Sequence, residues 1–438
     1  MKKSLIAAVS AAALLLLQAC GGDDDSSGAG TSQAPANGTL VSSSLARNTS
    51  LNVSDADAAA LREGNTAFAA DIYKTLGNDP QFANKNLFFS PYSLSVALAM
   101  TSAGARGATA SELKNAMHFT LPDDRLHTAF GALDLALTQR PPAAEGKAPV
   151  ALNIANSLWG EATMKFEQPF LDTLAVDYGA GVRLADFISA PDTARVAIND
   201  WVAGETKDKI RDILPNGSIT TDTRAVLVNA VYFKADWSSP FSVEATVAGT
   251  FHGPNGDTDA QMMHTTDKFA YGAGSGWRAV RLPYDGGLTF TAILPDDLAA
   301  FESSLDATRL AGIDGALQPT RVDLTMPKFK IEDASFSATD ALKTLGVKAL
   351  FDEKNADLSG IANPKPRKLF VGNILHKAFI DVDEKGTEAA AATGTIFGVA
   401  TAAPQPLPVT LVLDKPFVFL IRDNATGAVL FLGRYVGG

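Results

Sequence analysis

An α+β fold is what this chain of 438 residues predicts. Three observations carry that reading. Strand-like and helix-like runs are interspersed with no repeating βαβ rhythm and no internal repeat, which argues against a doubly wound parallel sheet. One strand, Ala225-Val-Leu-Val-Asn-Ala-Val-Tyr-Phe-Lys234, is nearly all apolar. The segment Glu384–Pro408 has no convincing apolar period over about 25 residues, too long for an ordinary connection in a compact domain.

Composition agrees with a globular chain. Hydrophobic residues make up 46% and charged residues 19%, enough for one large domain or two ordinary ones. No second domain is visible along the chain. The net charge of −11 argues against nucleic acid or an anionic membrane surface as partners.

Residues 1–19 read as a targeting segment. Lys2 and Lys3 form its positive end, and Leu5–Leu17 its apolar core, too short to span a bilayer. Leu17-Gln-Ala-Cys20 resembles a bacterial lipoprotein signal, which implies that Cys20 is lipidated and becomes the first residue. The alternative is ordinary secretion. Cys20 is the only cysteine, so no disulfide within the chain is available and packing alone has to hold the fold. Gly21–Ser54 is rich in Gly, Ser, Ala, Asn, Asp and Thr and reads as a disordered tether, spanning roughly 30 Å as a random coil. Residues 20–57 are assigned to lipidated cysteine and tether, and 58–438 to the folded domain.

Along that domain, Leu61, Phe68 and Ile72 space a helix over 58–74. Asn84–Ser95 leads into a further helix, with Ser90 suited to the cap and Pro91 to the first turn. Thr109 and Ser111 are both candidate caps for the next one. Residues 139–148 read as a loop, and Leu152–Trp159 alternates as a strand. Ile198, Trp201, Val202 and Ile210 share one face of an expected helix over 197–210, ended by the turn Leu214-Pro-Asn-Gly217. Strands are expected at 277–282, 288–294, 322–326 and 370–380, and a helix over 333–345. Gly272-Ala-Gly-Ser-Gly276 reads as a hairpin turn, since no helix follows it as a dinucleotide loop would require.

The long segment carries its own pattern. With period two, Thr387, Ala389, Ala391, Thr393 and Thr395 share a face that is small and uncharged, followed by Phe397. Glu388 falls on the other face. A solvated linker has no local reason to keep one alternating face free of charge and bulk. A segment that at times enters a sheet as a strand does.

Asp383-Glu-Lys-Gly-Thr-Glu-Ala-Ala-Ala-Ala392 resembles the hinge of the serpin reactive loop. Asp414-Lys-Pro-Phe-Val-Phe-Leu-Ile-Arg-Asp-Asn-Ala-Thr-Gly427 with Phe431-Leu-Gly-Arg434 resembles the C-terminal signature of that family. The resemblance covers about residues 58–438. It implies a large central mixed sheet with packed helices, smaller sheets and an exposed reactive loop at about 384–408. It implies a hinge at Glu384, Lys385, Gly386, Thr387, Glu388, Ala389, Ala390, Ala391 and Ala392. It places Ser90, Ser93, Asn229 and His376 together as a shutter where the sheet opens, and Trp237 at the breach above. Taken alone, each of those five residues reads as a locally satisfied core group.

No catalytic set is visible. The nucleophile-elbow pattern is absent, and the five histidines lack metal-ligand spacing, so no catalytic residue, metal or cofactor is expected. The resemblance implies a suicide-substrate inhibitor, not an enzyme, trapping a serine protease as a covalent acyl complex. In the family that the chain resembles, the scissile bond lies about sixteen residues beyond the hinge glutamate, so the resemblance implies Ala400-Thr401, counted from Glu384, with Phe397 and Leu407 as secondary sites. The small residues there suit an elastase-like or subtilisin-like protease. Region 111–147 offers only Lys114, Arg125, Arg140 and Lys147, so no glycosaminoglycan cofactor is expected. A monomer is expected, exported and lipid-anchored to a bacterial envelope or cell surface. The alternative is a non-inhibitory serpin acting as a binding module or chaperone.

Overall fold

Two large sheets stacked on one another organise the chain, with helices over one end and across one face. The computed structural model describes residues 35–139, 149–332, 335–363, 368–387 and 407–438. Residues Pro35–Gly438 form one compact unit.

In chain order, strand β1 (Leu40–Val41) precedes helix α1 (Asp55–Gly77), strand β2 (Leu87–Phe89) and helices α2 (Pro91–Gly104), α3 (Gly107–Ala116) and α4 (Asp123–Thr138). Strand β3 (Ala151–Glu161), helix α5 (Gln168–Thr173), strand β4 (Val182–Ala185), helix α6 (Pro191–Glu205) and strand β5 (Ala225–Asp236) follow. Then come β6 (Val247–Gly253), β7 (Gly256–Gly274), β8 (Trp277–Pro283) and β9 (Leu288–Pro295), and helices α7 (Leu298–Ser303) and α8 (Ala307–Ala316). The last elements are β10 (Gln318–Pro327), β11 (Phe329–Ile331), β12 (Phe336–Ser337), α9 (Thr339–Thr344), β13 (Ile374–Val382), β14 (Gly386–Thr387), β15 (Val409–Val412), β16 (Phe417–Asp423) and β17 (Val429–Tyr435).

The first sheet runs β1-β4-β3-β5-β14-β13-β11, with β12 beside β13. The second runs β15-β10-β7-β8-β9-β16-β17-β2, with β6 beside β7. Strand β5 shows why the first sheet lies inside the molecule. Its Val226, Val228, Ala230 and Tyr232 pack under α6 with Ile198 and Val202. The alternate Val231, Phe233 and Ala235 pack against Phe290, Leu324 and Phe431 of the second sheet. Both faces of the strand are covered, which is why it reads as an unbroken apolar run.

Local chemistry sets the elements. Ser90 caps α2 by accepting from the Ser93 N–H, with Pro91 at the first position, as the sequence predicts. Helix α3 starts earlier than expected, after Arg106 and without a side-chain cap. The Thr109 hydroxyl instead accepts from the Asp357 N–H at 2.9 Å, and Ser111 donates back to the Gly107 carbonyl at 3.1 Å. Helix α6 stops at Glu205, short of the expected end, because Lys207 and Asp208 adopt positive φ. The Thr206 hydroxyl donates to Val202 and accepts from Ile210, folding Ile210 back onto the same core from outside the helix. The helix expected over 333–345 is confined to α9, since Phe336 and Ser337 pair with His376 and Leu375 of β13. The hairpin at Gly274-Ser-Gly-Trp277 forms as predicted.

The N-terminal boundary needs correction. Residues 35–57 were expected in a tether, yet Leu40 and Val41 pair with Arg183 and Val182 at the sheet edge. The Asp186 N–H donates to Asn37, Ser43 donates to Asp172, Arg47 pairs with Asp134 at 2.5 Å, and the Asn48 N–H donates to the Val176 carbonyl. The folded unit begins near Pro35. Residues 1–34, including Cys20, lie outside the described residues, as does most of the 139–148 loop.

The C-terminal signature has a structural reason. The Arg434 guanidinium, 4% exposed, grips both oxygens of Glu302 at 2.9 Å and the carbonyls of Phe82 and Lys85. Tyr73 donates to the same Glu302 at 2.6 Å, so the buried charge pair is fully bonded. A Cβ on Gly433 would sit 2.5 Å from the Leu87 carbonyl oxygen, which excludes a side chain there.

Candidate functional site

The seam between β5 and β13 is the site. Over most of its length the two strands pair directly and in parallel, from Ile374 opposite Leu227 to Phe379 opposite Tyr232. Toward the top they part, and β14 stands between them. Gly386 and Thr387 lie opposite Asp236 and Ala235 of β5, and Thr387 opposite Val382 of β13, both antiparallel.

Each residue of Asp383-Glu-Lys-Gly-Thr387 has a task in that wedge. The Asp383 carboxylate accepts from the N–H groups of Lys385 and Gly386 at 2.8 and 3.2 Å, which fixes a tight turn. Glu384 is buried. It takes an ion pair from Lys328 Nζ at 2.8 Å and a hydrogen bond from the Thr246 hydroxyl at 2.8 Å. Burial pushes its pKa up, but these bonds outweigh that and hold the carboxyl below its ordinary value. The carbonyls of Glu384 and Lys385 accept from Phe241 and Trp237. A Cβ on Gly386 would fall 2.2 Å from the Ala235 carbonyl oxygen, so only glycine passes there. Thr387 is fully buried and shares a 2.7 Å hydrogen bond with the Tyr284 hydroxyl, so it faces inward as the alternation requires. Burial raises the Tyr284 pKa, so that hydroxyl stays protonated. Trp237 stacks on Tyr284 with centroids 4.2 Å apart, and its indole N–H donates to the Asp383 carbonyl at 2.9 Å.

Lower on the seam, Ser90, Ser93, Asn229 and His376 come together in one network. The Ser90 N–H donates to His376 Nε2 at 3.0 Å, so the imidazole carries its proton on Nδ1 and donates it to Asn229 Oδ1. Asn229 Nδ2 donates to Ser93 Oγ and to Asn156 Oδ1, each at 2.6 Å. Ser93 Oγ donates to Asn156 Oδ1, and Asn156 Nδ2 returns a bond to the Ser93 carbonyl. Ser90 Oγ donates to the Leu430 carbonyl at 2.7 Å. His376 is completely buried, which pushes its pKa down to about 3 and keeps the ring neutral. Every polar side-chain atom in this network has a partner, as a buried network demands.

The sequence reading missed four participants: Asn156, Tyr284, Lys328 and Thr246. Asn156 alone carried a signal, as an amide inside an alternating strand. Glu388, Ala389, Ala390, Ala391, Ala392, Ala400 and Thr401 lie outside the described residues. Of the four basic residues weighed as an anion-binding face, Lys114 pairs with Asp123 and Arg125 with Asp57. Arg140 and Lys147 lie outside the described residues. Among the described residues no group of acidic, His or Cys side chains is arranged to hold a metal.

A short strand wedged between two strands that pair directly below it, with the buried polar network on the same seam, is the arrangement that the resemblance implies for hinge, breach and shutter. Known proteins agree. The family model described as Serpin (serine protease inhibitor) matches residues 63–437, and the chain belongs to the serpin family. Human leukocyte elastase inhibitor is 37% identical over 389 residues, covering 86% of this chain and 98% of its own. An uncharacterized serpin-like protein of Thermococcus kodakarensis is 38% identical over 371 residues, covering 84% of this chain and 83% of its own. The native state of tengpin, a thermophilic serpin, superposes with a TM-score of 0.79 at 26% identity over 90% of this chain and 98% of its own. The family is named for inhibition rather than catalysis, the relatives at 37–38% identity include leukocyte elastase inhibitors, and this chain is a serine protease inhibitor.

Proposed function

We propose that the chain inhibits an elastase-like or subtilisin-like serine protease by covalent trapping. The wedge of β14 between β5 and β13 is the observation that carries this reading. The protease serine attacks the Ala400 carbonyl, the Thr401 amine leaves, and an acyl ester joins enzyme to inhibitor. The freed segment then extends β14 down the seam, exchanging the direct β5–β13 ladder for two antiparallel ones.

Register supports this route. With Thr387 opposite Ala235, a continued strand brings Ala389 opposite Phe233, Ala391 opposite Val231, Thr393 opposite Asn229 and Thr395 opposite Leu227. The inward side chains are small where the sheet interior is tightly packed. The hydroxyl of Thr393 arrives at the polar level of Asn229. The ester is carried away from the protease's working geometry before water completes hydrolysis, so each inhibitor molecule is used once.

The target class rests on Val399, Ala400, Ala402 and Ala403, all small, and on the leukocyte elastase inhibitors among the relatives. We further propose export, with Cys20 lipidated on a bacterial envelope and the serpin body acting as a monomer. Replacing Cys20 by Ser would move the protein to the soluble fraction if lipid holds it. The decisive experiment mixes the protein with elastase, subtilisin, trypsin and chymotrypsin and runs a denaturing gel. A stable higher-mass band with elastase or subtilisin, releasing a C-terminal fragment that begins at Thr401, is expected. Simple cleavage by all four without a stable band contradicts trapping. A fragment beginning at Gly398 or Pro408 moves the scissile bond and the target class.

A further inference from the structure

The chain contains three Asn-Gly steps: Asn37-Gly38, Asn216-Gly217 and Asn255-Gly256. Such a step loses ammonia without an enzyme when its groups are free, because glycine has no Cβ to shield its amide nitrogen from the neighbouring side-chain carbonyl. The fold treats the three differently. At the first, Asn37 Oδ1 accepts from the Asp186 N–H at 2.9 Å, and the Gly38 N–H donates to the Leu184 carbonyl at 2.8 Å. Both reacting groups are held. At the third, Asn255 Nδ2 donates to the Asn84 carbonyl at 2.9 Å, and Gly256 stands opposite Gly253 in the β6–β7 ladder.

The second step has no such ties. Asn216 and Gly217 are both exposed. Among the described residues, neither the Asn216 side chain nor the Gly217 N–H makes a hydrogen bond. Their turn is closed by one backbone bond, from the Ser218 N–H to the Pro215 carbonyl at 3.1 Å. Gly217 has a φ of +78°, with open space where a Cβ would stand. The flanks are fixed instead. Leu214 exchanges two hydrogen bonds with the Asn199 side chain of α6, and Ile219 is buried. The reactive pair is thus a short exposed turn between anchored ends.

We propose that Asn216 is a site of spontaneous deamidation and isomerisation, selected by the fold over Asn37 and Asn255. The Gly217 nitrogen attacks Asn216 Cγ, the Cγ–Nδ2 bond breaks, and ammonia leaves with the proton that the Gly217 nitrogen gives up. The five-membered succinimide then takes up water at either ring carbonyl. One opening gives aspartate, the other isoaspartate, in which the main chain runs through the side-chain carbon. The product adds a negative charge, and in isoaspartate one backbone carbon, to the connection between α6 and β5. The site is separate from the loop-insertion seam and does not depend on protease trapping.

The test incubates the full chain in mildly alkaline buffer, folded and in urea, and follows each Asn-Gly step by mass spectrometry of tryptic peptides. An isoaspartyl-specific methylation assay separates the two products. In the folded chain, Asn216 is expected to gain one mass unit at least tenfold faster than Asn37 or Asn255. In urea the three are expected to react at similar rates, which shows that the fold makes the choice. Asn216→Gln changes an exposed side chain without partners, so it is expected to fold as the parent does and to lose the isoaspartyl signal. Equal rates at the three steps in the folded chain, faster reaction at Asn37 or Asn255, or an Asn216 that reacts in urea and not in the fold overturns the proposal. So does an undiminished isoaspartyl signal in folded Asn216→Gln.

Discussion

Strands β5 and β13 meet in two different ways along one seam. At the top they are held apart by β14, and the polar groups there tie the loop's first residues to the frame around them. Lysine 328, which pairs with Glu384, is more than a third exposed, so that end of the site is partly wet. Lower down the strands pair directly, and the polar groups form a closed, neutral, buried network anchored on His376 and Asn229. The same two strands are thus parted where the loop begins and bonded together below. On the proposed route, opening needs no new entrance; it needs the latch to exchange partners. A network in which every bond is made holds the seam firmly, and on the proposed route it has a defined alternative, because a Thr393 continuing the β14 register would bring a hydroxyl to the level of Asn229.

The difference can be broken from either end. The largest effect should come from filling the seam. On the proposed route, nicking the loop without trapping adds a full strand. It should raise the melting temperature by on the order of 10 °C or more, since each kcal/mol moves a large domain by roughly 2 °C. Equal melts of nicked and intact protein would mean that the segment does not enter the sheet.

Next in size is the latch. Asn229→Ala strips partners from His376, Ser93 and Asn156 in a buried setting, and should cost about 3 kcal/mol in urea unfolding. Acid attacks the same network more gently. His376 stays neutral in the fold down to about pH 3, whereas an unfolded histidine takes up its proton near 6.5. Its contribution is therefore full above pH 6.5 and declines as pH falls toward 3, by about 2 kcal/mol at pH 5. His127, buried beside Tyr178 with its pKa pushed down to about 4, adds a similar slope. Measuring the acid dependence in a His127→Gln background isolates His376, and a flat profile from pH 7 to 5 there would contradict a buried neutral latch.

The smallest effect belongs to the top. Lys328→Ala removes the charged partner of the buried Glu384, whose carboxyl keeps the Thr246 hydrogen bond and can take up a proton, and should cost about 1–2 kcal/mol in chemical unfolding. A loss as large as that of Asn229→Ala would show that the two ends are not built differently.

Much of this was legible in the residues, for identifiable reasons. Ser90, Ser93, Asn229 and His376 stand out because each interrupts an apolar run, though only the resemblance brings them together; Thr387 stands out by spacing, and Gly386 only through the resemblance of the hinge. Tyr284, Lys328 and Thr246 do not, because each meets its loop partner from a distant part of the chain and carries no local signature. Residues 35–54 misled for another reason. They dock by backbone pairing and single polar contacts such as Arg47 with Asp134, so their composition keeps the look of a tether. Ile210 read correctly as core and wrongly as helix, since hydrophobic spacing records burial and cannot register two left-handed residues in between.

The central claim is that β5 and β13 must part for the protease to be trapped, and a reversible lock tests it. Ala230 and Lys377 are partners in the β5–β13 register. Their spacing as directly paired residues suits a disulfide, and the described residues contain no cysteine to compete. The Ala230→Cys, Lys377→Cys variant, oxidised, is mixed with the target protease and followed on a non-reducing denaturing gel, then repeated after reduction. The account predicts cleavage at the parent rate with no stable complex while the lock is closed, and recovery of the complex once it is reduced. A stable complex formed at full yield with the lock closed would show that trapping does not pass through this seam.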